Sequence, residues 1–330
     1  MAAVCAIVGM SFLPLGVLAL TASTGVVQVK ARYDDVQDCV NGADTTDQRE
    51  ENLMAEGGAG INCTIEIEVN EDMEPPVFVY YELHNFYQNH RQYVKSRSNE
   101  QLMGEDSADD SMTSWTGVSS GSILENCSPM RTVPNGTDSD EDDVIDPCGL
   151  VAWSYFNDTY ALRRRRMGDA RFSDPIDVDE AGIAWKTDRN QRYAHYLPQN
   201  FNDDPGRRGG GTIDGFVDKD EHFMVWMRTA TLPTFRKLWG RIDDELRAGD
   251  VVQVDVLNRY NTYKFDGQKH IVLSTTSWLG GKNNLLGILF IVLGAISCSM
   301  AMVFVWIHFD PNTRQFGDEQ LLSWNRKKPQ

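Results

Sequence analysis

The chain has 330 residues, 41% of them hydrophobic, and carries a formal charge of −17 at neutral pH. A surface this acidic excludes a phosphate-binding footprint spread over the whole molecule, and with it nucleic acid as a partner. The length allows one large domain or two modest ones.

The apolar residues are concentrated near the two ends. The first charge is Lys30, so residues 1–28 form an uncharged stretch long enough to cross a bilayer core of about 30 Å. A signal peptide is the rival reading, but the stretch has no positive n-region and its apolar run is too long. Pro14 lies mid-span and bends the helix, and neighbours satisfy the freed carbonyl. Ala19 and Ser23 form a small-xxx-small pair.

A loop, residues 29–284, follows. Residues 41–60 read as irregular chain. "TIEIEV" puts Ile65, Ile67 and Val69 on one face of a strand and Thr64, Glu66 and Glu68 on the other. "VFVYYEL" continues as a strand into "YYELHNFYQNHRQYVKSR", residues 80–97, where Phe86, His90, Tyr93, Val94 and Arg97 share a helical face. His84 and His90 are six apart, which is not the i, i+4 spacing of two ligands on one helix, so no metal is expected. Residues 104–122 read as a loop. They include "GVSSG", a match to the nucleophile-elbow pattern at Ser119 that lacks the strand required before it. "DSDEDD" lacks the Gly and Glu of an EF-hand at its sixth and twelfth positions and reads as a solvated acidic loop. The basic run Arg163, Arg164, Arg165 and Arg166 is a solvated turn, a partner contact or a protease site. "GRRGGG" at 206–211 is a further loop. "HFMVWMR" reads as a strand, "TLPTFRKLWGRIDDEL" as a helix with Phe235, Leu238, Trp239, Ile242 and Leu246 on its apolar face, and "VVQVDVL" and "KHIVLSTTSW" as strands. "GGKNN" has Asn283 where a P-loop needs Ser or Thr. Residues 285–307 are uncharged and form a second spanning helix, in which Gly287, Gly294 and Ser299 allow close approach to a partner helix. Residues 308–330 end in "NRKKPQ", a cytosolic signature whose two lysines resemble a retrieval signal.

Cys39, Cys63, Cys127 and Cys148 all lie in the loop, an even number that fits disulfides in an oxidising compartment. Of three pairings, Cys39–Cys63 and Cys127–Cys148 are expected, because joining near neighbours encloses the two irregular loops. Four sequons, at Asn62, Asn126, Asn135 and Asn157, are confined to the same loop. The loop is therefore read as a lumenal or extracellular ectodomain with both termini cytosolic. No set of residues supplies nucleophile, base and oxyanion donors, and no cofactor motif is present. The chain is expected to be a binding subunit rather than an enzyme, with a membrane-anchored lectin or receptor as the alternative.

The ordered stretches "FLPLG", "YYELHNFYQNHRQYVKSR", "CGLVAWSYFNDT", "GIAWKTDRN", "FMVWMRTATLPTFRKLWGRI", "HIVLSTTSWLGGKNNLLGI" and "GDEQLLSWNR" resemble the Cdc50/Lem3 family, the accessory (β) subunits of type-IV P-type ATPase phospholipid flippases. The resemblance implies two transmembrane helices flanking a jelly-roll-like antiparallel β-sandwich with short helices. It implies an ATPase partner that carries the phosphorylated Asp and the lipid path, and whose exit from the endoplasmic reticulum needs the subunit. It makes residues 80–97 a scaffold element, with aromatics packed inward and Arg91, Lys95 and Arg97 paired with local acids. The chain is read as starting within the first helix, so the cytosolic tail that usually precedes it in the family is not expected in this sequence.

Overall fold

A computed structural model describes residues 1–55, 59–104, 125–134, 136, 143–169, 171–172, 175–204 and 207–310. It divides into two compact units, Met1–Val27 with the chain from Thr276 onward, and Gln28–Thr275.

The first unit pairs α1 (Ala2–Thr24) with α7 (Asn284–Phe309), both long and apolar enough to cross a membrane. Their contact is a stripe of small residues repeating every seventh position. Gly9, Gly16 and Ser23 are buried on α1, and Gly287, Gly294 and Ala301 on α7. A Cβ at Gly16 would stand 2.8 Å from Ile291 N, and one at Gly287 would stand 2.8 Å from Leu20 N. At these glycines the backbones meet because a side chain is absent. Ser23 closes one end of the pair. Its Oγ accepts from the N–H of Asn283, the N-cap of α7 (2.8 Å), and donates to Asn284 Oδ1 (2.6 Å). The remaining apolar side chains, such as Val17, Leu293 and Val303, are exposed around the pair.

In the second unit eight strands, β1 (Gln28–Arg32), β2 (Ile61–Glu68), β3 (Val77–His84), β4 (Thr159–Arg165), β5 (Pro175–Ile176), β6 (Phe235–Ile242), β7 (Val251–Asn258) and β8 (Gln268–Ser274), form two four-stranded sheets. The first runs β1-β8-β3-β6 and the second β2-β7-β4-β5, with every paired strand antiparallel. This interleaved order is the jelly roll. Strict alternation makes β2 two-faced, with Ile61, Cys63, Ile65 and Ile67 buried and Asn62, Thr64, Glu66 and Glu68 exposed. Ile271 and Leu273 of β8, beside Tyr81 and Val79 of β3, add fully or nearly fully buried side chains to the core. Short helices decorate the connections: α2 (Thr46–Met54), α3 (Arg91–Lys95), α4 (Asn99–Met103), α5 (Leu150–Trp153) and α6 (Glu221–Met227).

Three expectations are corrected. "HFMVWMR" is not a strand but most of α6. Asp220 accepts from Phe223 N (2.8 Å) as N-cap, and Phe223, Met224, Trp226 and Met227 fall on one buried helical face. "TLPTFRKLWGRIDDEL" is not a helix; its centre is β6. The two-residue period there is disguised because an inward position holds Lys237. This ammonium is 6% exposed and donates to the carbonyls of Val225, Trp226 and Arg228, closing the C-terminus of α6. Residues 41–60 are not wholly irregular, because Thr45 and Gln48 form a capping box that starts α2.

The interlock of α1 with α7 makes a direct prediction. A Cβ at Gly9 would lie 2.3 Å from Cys298 Sγ. A Gly9→Cys chain in detergent should therefore form an intrachain disulfide with Cys298 under mild oxidation, seen by non-reducing peptide mapping. A Val17→Cys chain, altered at an exposed position, should not, and cross-linking of both or neither would contradict the pairing.

Candidate functional site

Residues 80–97 run out of β3, through a turn, and into α3. Phe86 is the hub of the turn, with its ring 5.3–6.4 Å from those of Tyr93, Trp226, Phe235, Tyr260 and Phe265. The polar residues tie the turn to the segment between α6 and β6. Gln88 is fully buried and accepts from Ala230 N (2.9 Å), while Asn89 donates to Thr231 O (2.9 Å). The expected pairing of the basic residues with acids is corrected. Arg97 donates to Met227 O (3.2 Å), and Arg91 and Lys95 are exposed without an ion pair among the described residues.

His84 belongs to a polar cluster on the outer face of the first sheet. Glu82 stands opposite His270 of β8 and Arg236 of β6. Both Lys30 and Arg236 hydrogen-bond its carboxylate, as does His84 Nε2 at 2.6 Å. Glu82, His84 and His270 bring ligand-type atoms within 4.8 Å of one another. A cation is already there, however, since Lys30 Nζ contacts both Glu82 Oε1 and His84 Nε2. The cluster is a basic surface organised by one acid. Burial would raise the Glu82 carboxyl, but hydrogen bonds from Lys30, Arg236 and His84 outweigh it and hold the group at about 2. Burial, followed by the nearby Lys30 and His84, pulls His270 down to about 4.

The outer face of the second sheet holds two of the sequons. Asn62 and Thr159 both lie opposite Leu257, so these residues share one face across three adjacent strands. Asn157 is half-buried and lines a cavity of about 830 Å3 with Asp220, His222 and Trp239. His222 Nε2 is 2.9 Å from Glu180, and the His222 ring lies 4.1 Å from that of Trp239. No serine or cysteine is among the described residues that line this cavity. Asn126 is exposed beside Cys127. Asn135, Ser119, most of "DSDEDD" and the tail from residue 311 lie outside the described residues.

Disulfides join Cys39 to Cys63 and Cys127 to Cys148. The arginine run is largely strand β4 rather than a turn. Arg163 pairs with Asp255 (3.2 Å), Arg164 donates to Glu245 O (2.8 Å), Arg165 pairs with Glu66 (3.3 Å), and Arg166 is exposed just beyond the strand. Gly287 and Gly294 do permit close approach, but the neighbour they admit is α1 of the same chain. Ser299 remains on an outer face of α7, where Ala295, Ile296, Met300, Val303 and Phe304 line a groove with it.

Residues 19–314 match the LEM3 (ligand-effect modulator 3) family / CDC50 family. The chain belongs to the LEM3/CDC50 family. It is 41% identical to ALA-interacting subunit 3 of Arabidopsis thaliana over 97% of its own length and 83% of that protein. It is 34% identical to cell cycle control protein 50A of Bos taurus (92% and 81% covered) and 30% identical to cell cycle control protein 50B of Homo sapiens (94% and 88%). The family match begins within α1 and ends beyond α7, so it takes in both units of this LEM3/CDC50 chain. Membership points to an accessory subunit of phospholipid-flippase ATPases rather than to a catalyst.

The depressed Glu82 carboxyl sets a pH dependence. Its stabilising contribution is present above the ordinary value of 4.5 and is lost as pH falls towards 2. Glu82→Gln should therefore cost about 3 kcal/mol at pH 7 and progressively less below pH 4.5. Denaturant unfolding of both chains at pH 7 and pH 3 measures this; an equal cost at the two pH values would contradict the ionic assignment.

Proposed function

We propose that this chain is the non-catalytic β subunit of a heterodimeric phospholipid flippase. Its partner is a type-IV P-type ATPase. The subunit is needed for that ATPase to leave the endoplasmic reticulum, for its stability, and for inward movement of phospholipid to the cytosolic leaflet. The observation that carries this reading is family membership over residues 19–314, backed by 41% identity to a protein named as an ALA-interacting subunit.

The chain crosses the membrane twice, as residues 1–28 and 285–307, with both termini and residues 308–330 cytosolic. Two long apolar helices support the crossings. The disulfides and the confinement of all sequons to residues 29–284 support a lumenal ectodomain. After assembly the complex resides in the Golgi, endosomes or plasma membrane. Binding is bipartite. The groove of about 370 Å3 beside Ser299 receives a membrane helix of the ATPase, since Gly287 and Gly294 are already used by α1. The ectodomain covers the lumenal loops of the ATPase and favours particular conformations by differential affinity. Within the Arg163–Arg166 run the exposed Arg166 is the freest to meet an acidic loop, and its contribution falls with salt.

Two measurements test this reading. Purification in mild detergent should recover a large P-type ATPase in stoichiometric amount, and cells lacking this chain and its paralogues should retain that ATPase in the endoplasmic reticulum and lose uptake of fluorescent phospholipid. Normal trafficking and uptake would favour a free-standing receptor instead. Glycopeptide mapping should find Asn135 and Asn157 more fully modified than Asn62 and Asn126, each of which precedes a disulfide cysteine; the reverse order would overturn this ranking.

A further inference from the structure

Three guanidinium groups meet at a cavity of about 420 Å3 bounded by α4, a π-helical turn at Asp188–Arg192 and the chain leaving α6. They belong to Arg97, Arg192 and Arg228, and the carboxylate among the described lining residues is Asp188. Three cations against one anion leave an excess of two positive charges, on a molecule whose net charge is −17.

Asp188 cannot offset the excess, because it is committed. It is 1% exposed, and Arg228 reaches both of its oxygens, with Nη2 at 3.0 Å from Oδ1. Arg192 Nε stands 3.7 Å from the same carboxylate. Arg228 is further fixed by stacking its guanidinium 4.0 Å over the Trp185 ring. Arg97 spends one N–H on Met227 O. Its remaining N–H groups, the Asn99 amide and the Thr229 hydroxyl have no protein partner among the described residues, although all belong to the wall of this one cavity. Guanidinium donors in excess of carboxylate acceptors, with net positive charge, are the chemistry that selects a multivalent oxyanion.

We infer that this cavity is a binding site for a phosphate ester. Arg97 and Arg192 supply the charge-assisted hydrogen bonds, Arg228 and Asp188 hold the rim in place, and Leu102 and Met103 offer an apolar wall to the organic part. Two sources share this chemistry, a soluble phosphate monoester and a phospholipid headgroup.

The stacked Trp185 makes binding measurable. Glycerol 3-phosphate is titrated into the full chain in detergent at constant ionic strength, and tryptophan emission is followed. The signal is assigned to Trp185 by its loss in a Trp185→Phe chain. A saturable change is expected, weakened on the order of tenfold in Arg97→Ala and in Arg192→Ala, and less in Arg97→Lys, which keeps the charge but loses the fork. Arg192 is 65% exposed with one long ion pair, so its removal leaves the fold intact, which an unchanged melting temperature would verify. Arg247→Ala, an exposed arginine away from the cavity, should bind as the parent does. Phospholipid in mixed micelles that competes below the concentration of the soluble ester assigns the headgroup as source; failure to compete assigns the soluble ester. No saturable change, or parental affinity in well-folded Arg97→Ala and Arg192→Ala chains, overturns the site.

Discussion

A single buried ion pair ties the two sheets of the jelly roll together. Lys269 on β8 and Asp158, just ahead of β4, are both fully buried, with Nζ 2.7 Å from Oδ2. Lys269 also donates to Asn258 at the end of β7 and to Tyr260 O. Asp158 accepts in addition from the Tyr33 hydroxyl and from the backbone N–H groups of Arg259 and Tyr260. Removing two charges from water costs several kcal/mol each, and the cost is repaid only where every lone pair and proton finds a partner. Here each does. Burial draws Lys269 below its usual value while Asp158 pulls it back up. The surrounding strands have to hold their register to keep the pair satisfied, so the pair specifies how one sheet stacks on the other.

The same strand carries both of the charged centres described above. Lys269 points between the sheets and His270, one residue on, points outward to Glu82. A strand that alternates in this way couples the packing of the core to the basic outer face. A slip of one residue would turn Lys269 out of the core and His270 away from Glu82, losing the buried ion pair and the register of the outer cluster together.

What the sequence discloses follows from how local each signal is. The two spanning helices and the two-faced β2 are legible because their patterns are complete within a single segment. The exchange of β6 and α6 has a physical cause. Inward Lys237 breaks the alternation of the strand, and the run Phe223–Met227 looks like a buried strand until the Asp220 cap is noticed. Sequons and cysteines are visible as residues, but the shared face of Asn62 and Thr159 needs the register of β7. The Glu82 cluster was out of reach, because the residues around it come from β1, β6 and β8, far apart in the chain. Only the Glu82–His84 alternation on one strand hinted at it. The small-residue stripe on α7 was legible, but its use by α1 was not, since both neighbours satisfy the same spacing.

Asp158 is also the middle residue of the tripeptide Asn157-Asp158-Thr159. Once Lys269 closes over it, that residue is inaccessible and its carboxylate is held by Lys269, Arg259 and Tyr260. An enzyme that must grip the whole tripeptide has access to it only while the β domain is still open. Any sugar transfer to Asn157 would therefore have to precede formation of the ion pair. Modification at this position would then be a clock reading of how long a newly made chain waited before its two sheets came together.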